Sequence, residues 1–142
     1  MGASGWLYYT EFDPNPMAVL TTLHCHVLAS REYLWGDDAP WPSTLQELHE
    51  LYMEHERLAE QGTHSILDIW QVGTRDDIGT ILPLPANTVR TVFGGGEPTK
   101  EQFEAAYETD ALHDFPRGSG RFTTLFEDGK PAEIAVWGVS GD

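Results

Sequence analysis

Two runs of β-forming residues, 121–127 and 133–139, flank the tripeptide Asp128-Gly129-Lys130. Asp-Gly between such runs is hairpin chemistry, because a tight turn of this kind needs positive φ at both central positions. Whatever else the chain does, it must pair two strands antiparallel there and cover their apolar side chains. The rest of the sequence has to supply that cover.

Turn and cap signals divide the remainder. Residues 5–12 (GWLYYTEF) are aromatic-rich and end at Asp13-Pro14-Asn15-Pro16, so they read as a strand. Asn15 can cap a helix with Pro16 at its first position, where a missing N–H costs nothing. Leu20, Leu23 and Val27 then carry a helical spacing toward Tyr33. Residues 36–42 read as a loop. Ser43 with Gln46 reads as a capping box opening a helix that runs to Gly62, with Leu45, Leu48, Tyr52, His55 and Leu58 on one face. Residues 65–72 (SILDIWQV) read as a central strand, apolar on both sides. A short strand over 80–84, a two-turn helix over 87–93 closed by three glycines, and a second capping box at Thr99 and Gln102 complete the order. The expected class is α+β: one domain over 1–142, with a small, mostly antiparallel sheet and helices packed on one face.

Composition narrows the functions such a fold can serve. The chain has 142 residues, 23 Asp and Glu against 8 Lys and Arg, and a formal net charge of −15. That charge repels phosphate backbones and anionic membrane surfaces, so neither a nucleic acid nor a membrane is an expected partner. A charged partner should instead be basic. Cys25 is the single cysteine, so no intrachain disulfide can form, which suits a reducing compartment. The start shows no secretory pattern and no apolar run nears membrane-spanning length, so a cytoplasmic location is expected. A hydrophobic fraction of 40% argues against disorder despite the charge.

The acids are unevenly placed. Residues 37–62 and 97–114 together hold thirteen of the 23. Glu47, Glu50 and Glu54 form one stripe at helical spacing; Glu101, Glu104 and Glu108 form another. If the two helices lay side by side, they would present one negative surface.

Gly62-Thr63-His64-Ser65-Ile66-Leu67-Asp68-Ile69, with the start Gly5-Trp6-Leu7-Tyr8-Tyr9, Asp128-Gly129-Lys130-Pro131 and the final Ser140-Gly141-Asp142, resembles a family of small uncharacterised actinobacterial proteins. The resemblance implies no activity, cofactor or site residue.

Among polar residues, His64 and Asp68 are the foremost candidates for a site, with His64 as acid, base or ligand. In the expected strand they share a face with Ile66 and Trp70, yet residues four apart in a strand lie roughly 13 Å apart and cannot bond directly. The plainer reading has Thr63, His64 and Ser65 satisfying backbone groups between helix and strand. Arg117 and Arg121 flank Gly118-Ser119-Gly120 and are candidates to cradle an anion. On a helix, His24 and His26 diverge by roughly 200° and cannot share an ion. With no HExxH, CxxC or carboxylate-rich loop, neither a metal nor another cofactor is expected. No catalytic constellation stands out. The leading expectation is an acidic protein that binds a basic protein partner, in the manner of an immunity or inhibitor protein. The alternative is a small enzyme or ligand-binding domain with a site near His64 and Asp68.

Overall fold

The computed structural model describes residues 5–36 and 39–140. Asp37, Asp38 and the end residues 1–4 and 141–142 lie outside the described residues, as do the sequence features assigned to them.

Strand β1, Gly5–Glu11, leads through the proline turn into helix α1, Pro16–Ser30. The Asn15 side chain accepts from the Met17 N–H and Pro16 occupies the first turn, as the sequence requires. The helix stops three residues short of Tyr33. Arg31 adopts a left-handed φ of 58°, and the Leu34 N–H leaves the helical pattern to reach the Thr63 carbonyl at 2.9 Å.

Helix α2, Leu45–Glu54, is capped by Thr44, not Ser43: its hydroxyl accepts from the Glu47 N–H, and the Glu47 carboxylate reaches back to the Ser43 N–H at 2.7 Å. The expected single helix to Gly62 breaks at His55, whose φ of −127° and ψ of 82° interrupt it before α3, Glu56–Gln61. Leu48 and Leu58 still face the core from either side of the break.

The expected strand over 65–72 is the main correction. Residues Ile66–Asp68 form a 3₁₀ turn, and only Gln71–Val72 is extended, as β2. Ile66, Leu67 and Ile69 are all fully buried, so the apolar run reflects a connection sunk beneath α1 rather than a strand. Strand β3 is Thr80–Pro83, α4 is Ala86–Phe93, and α5 is Lys100–Tyr107 with the Thr99–Gln102 capping box formed as expected. The hairpin joins β4, Gly120–Glu127, to β5, Lys130–Val139, through Asp128 and Gly129 at φ 53° and 75°.

The five strands run β1-β5-β4-β3-β2. β5 pairs antiparallel with β1 and with β4, while β3 lies parallel to both β4 and β2. The fold is therefore α+β with a mixed, mostly antiparallel sheet. Residues 134–137 of β5 are all buried, and successive side chains of a strand point to opposite faces. Both faces therefore need cover, and helices lie on both faces instead of the expected one. Ile134 and Val136 pack with Trp6, Ile81, α1 and Leu48 of α2. Ala135 and Trp137 pack with Leu125, Phe103 of α5 and Val89 of α4.

Candidate functional site

The polar centre nearest the sequence expectation is the turn after α3. Gly62 ends that helix at φ 68°, and His64 follows at φ 53°. This bent backbone wraps the Asp68 carboxylate. Oδ1 accepts from the Thr63 N–H at 2.7 Å and the Thr63 hydroxyl at 2.8 Å; Oδ2 accepts from the His64 N–H at 3.0 Å. Thr63 and Ser65 share a 2.7 Å hydroxyl bond, and the Ser65 hydroxyl accepts from the Leu67 N–H. The 3₁₀ turn thus brings Asp68 onto the His64 backbone, a contact the expected strand would have forbidden. The His64 ring bonds the Gln61 carbonyl at 3.1 Å.

Asp68 also lines a cleft of about 380 Å³ with Glu60, Leu67, Trp70, Ile78, Arg117 and the α2 residues His49 and Tyr52. The size falls within the usual range for small-molecule sites. Two of its walls are anchored through one residue. The Trp70 N–H donates to the Gly79 carbonyl at 2.9 Å, and the Trp70 ring lies so close against Gly79 that any β-carbon there would strike it. The Gly79 N–H in turn donates to the Gly118 carbonyl at 2.7 Å, and the Gly118 N–H donates to the Val139 carbonyl. Arg117 is thereby held beside the cleft by the backbone that follows it. The Tyr52 hydroxyl is buried and has no partner among the described residues, and burial pushes its pKa well above the ordinary value.

A second concavity lies on the other side of α2. Glu47, Glu50 and Glu54 line a depression of about 220 Å³ with Pro40, Trp41 and Leu51. Glu47 spends one oxygen on the helix start, and Glu50 accepts from the Gln46 amide at 3.2 Å. Glu54 makes no hydrogen bond or ion pair among the described residues. Edge contacts link Trp41 to Tyr33 at 5.2 Å and Tyr33 to Trp35, and a tilted contact carries on from Trp35 to Tyr52, so the rim is a packed aromatic group.

The second acidic stripe is elsewhere. Glu101 and Glu104 border a groove with Lys100 and Glu133, which form an ion pair at 3.5 Å, and Glu108 sits exposed at the end of α5. Since α2 packs on one sheet face and α5 on the other, the stripes are two surfaces, not one.

Arg117 and Arg121 do not form a joint cradle. Arg121 is buried, gives both guanidinium nitrogens to Asp76 at 2.7 and 3.0 Å, and covers the Phe115 ring. Arg117 stands in the cleft without it. His24 and His26 diverge on α1 as the helix demands. His24 is buried with Nε2 2.7 Å from the Ile69 carbonyl, whereas His26 is exposed. A carbonyl only accepts, so Nε2 carries the proton; burial holds the imidazole pKa below its ordinary value. Among the described residues no three His, Cys, Asp or Glu side chains cluster to hold a metal ion, and no helix is long and apolar enough to cross a membrane.

Compared with known proteins, the chain matches no family model, no curated protein and no solved structure. Chemistry here is read from its own geometry. The α2 depression offers carboxylates beside aromatic surface, and the cleft offers one cation beside aromatic walls. The sequence pointed to Asp68, Trp70, Arg117 and the three glutamates. It missed Trp41, His49 and Ile78, whose only signal was being large apolar or aromatic residues in stretches otherwise read as polar loop or helix surface.

Proposed function

We propose that the chain binds a basic protein partner through the outer side of α2. The observation that carries this reading is the depression in which Glu47, Glu50 and Glu54 meet Trp41 and Leu51. A lysine or arginine side chain suits such a place, since its charged head meets carboxylates while its methylene stem lies on the apolar floor. Met53, 89% exposed on the same helix, supplies the flexible apolar contact that interfaces favour. The net charge of −15 would steer a basic surface toward it. The Glu101, Glu104 and Glu108 stripe adds to that long-range field from the opposite face. An immunity- or inhibitor-like role and residence in the cytoplasm belong to the same reading. So does kinship with the small actinobacterial proteins, which brings no activity of its own.

The test is capture from a host lysate at low salt with the immobilised chain, run beside the triple variant Glu47→Lys/Glu50→Lys/Glu54→Lys. The expected result is one basic protein retained by the wild type at stoichiometric level, released by moderate salt and absent from the variant. Capture of the same protein by both forms would overturn the assignment to α2. Absence of any specific basic protein from the wild type would overturn the reading as a whole.

The alternative, a ligand-binding or enzymatic domain, is favoured by one observation: Asp68, Trp70 and Arg117 line a single cleft.

A further inference from the structure

We infer that this cleft is a binding site for a small aromatic carboxylate, its ring against Trp70 and its acid group on Arg117. The site lies on the inner side of α2 and does not depend on the partner reading.

Four observations carry it. First, Arg117 is an exposed cation with no ion pair among the described residues, in a chain with almost three acids for each base. Lys100 and Arg121 spend their charge on Glu133 and Asp76, whereas Arg117 is the cation that lines the cleft. Arg117 is instead kept at a cavity by the bonds of Gly118 to Gly79 and Val139. Second, Trp70 is 46% exposed yet fixed, because its ring rests on the bare backbone of Gly79 and meets His49 edge-on at 6.4 Å. A large aromatic side chain that is both exposed and pre-positioned loses little entropy when a ring packs on it. Third, Ile78 is 68% exposed on the same rim and offers apolar surface that a ligand ring would cover. Fourth, the backbones of Trp70 and of Gly118, next to Arg117, both bond Gly79, so the spacing of the two chain segments that carry the ring and the cation is set by backbone hydrogen bonds.

The charges in the wall choose among anions. Asp68 directs its oxygens at Thr63 and His64, but its charge and that of Glu60 remain close by. A multiply charged phosphate would be repelled by both, whereas a single carboxylate is matched by one guanidinium fork. The aromatic wall selects a ring over an aliphatic chain.

Binding is measured on the full chain by isothermal titration and ligand-observed NMR with three probes of one shape: indole-3-acetate, the neutral indole-3-acetamide and the cationic tryptamine. The acetate should bind about tenfold more tightly than the amide, and more tightly than tryptamine. Arg117→Gln should abolish the acetate-over-amide preference, and Arg117→Lys should restore part of it. Arg117 is exposed, so neither change threatens the fold, and unchanged melting curves confirm that. Trp70→Phe, which keeps an aromatic face, should weaken acetate and amide alike. No saturable acetate binding to the wild type would overturn the inference. So would tighter binding of tryptamine, or a preference for acetate that survives in Arg117→Gln.

Discussion

The guanidinium of Arg121 grips the carboxylate of Asp76 with two hydrogen bonds, at 2.7 and 3.0 Å, across 45 residues of chain. Arg121 is buried and Asp76 about one-third exposed, so the two ends of the pair are unequal. Removing the exposed end strands a buried cation, which costs more than losing an acid from the surface. Asp76→Ala should lower stability by about 1–2 kcal/mol in urea denaturation. Adding Arg121→Met should recover part of that loss, because no charge is then left behind. A double variant weaker than the single one would show that Arg121 serves mainly through its bond to the Gly120 carbonyl at 3.0 Å.

Asp68 is the keystone of the turn from 62 to 68, with three donors converging on one carboxylate. Charge-assisted bonds of this kind are each worth more than neutral ones. Asp68→Ala should cost about 2–3 kcal/mol and Asp68→Asn about 1–2 kcal/mol, since the amide keeps one acceptor oxygen. Chemical denaturation of the two variants ranks them. Equal losses would point to the charge and not the geometry.

His24 makes stability depend on pH. Burial is the largest influence on its imidazole, with the Ile69 and Ile66 carbonyls opposing it and His49 reinforcing it, and the result is a lowered pKa. Below about pH 6.5 the unfolded chain takes up a proton that the folded chain resists. This contribution is therefore complete above that pH and is lost as pH falls toward the folded-state value. The melting temperature of the wild type should drop between pH 7.5 and 5.5 by more than that of His24→Gln. Parallel curves would remove His24 as the cause.

The Tyr52 hydroxyl is buried without a partner among the described residues. A buried donor left unmade is a standing cost, so Tyr52→Phe should be neutral or stabilising by up to about 1–2 kcal/mol. Differential scanning calorimetry would detect the change, and a clear loss of stability would reveal a bridging water.

What could be read in the sequence follows how local each signal is. Asn15-Pro16, Thr99 with Gln102, and Asp128-Gly129 each fix a cap or turn within four residues, and all three form as the side chains dictate. Ser43 with Gln46 has the same spacing, but Thr44 with Glu47 competes one residue later. The charged Glu47 serves both the helix start and the Ser43 N–H, and it wins. The run from Ile66 to Ile69 failed differently. Apolar residues on both sides describe burial, which a sunken turn shares with a central strand. Ser65 and Asp68, three apart, were the overlooked sign of a turn. The concavities were half legible: their charges stood out in sequence, while Trp41, His49 and Ile78 reach them only through the packing of α2 and the Gly79 loop.

β1 pairs only with β5, so residues 5–11 and 133–139 complete one antiparallel ladder from far-apart stretches of chain. During synthesis the first strand leaves the ribosome some 120 residues ahead of its mate. Until then Trp6, Tyr8 and the apolar stripe of α1 have no sheet to close against. Closure of this ladder is a long-range event that waits on residues 133–139, whereas the β4–β5 hairpin needs only neighbouring residues. A chain in which that strand is still unpaired exposes Trp6 and Tyr8, and a net charge of −15 sets such chains against associating with one another.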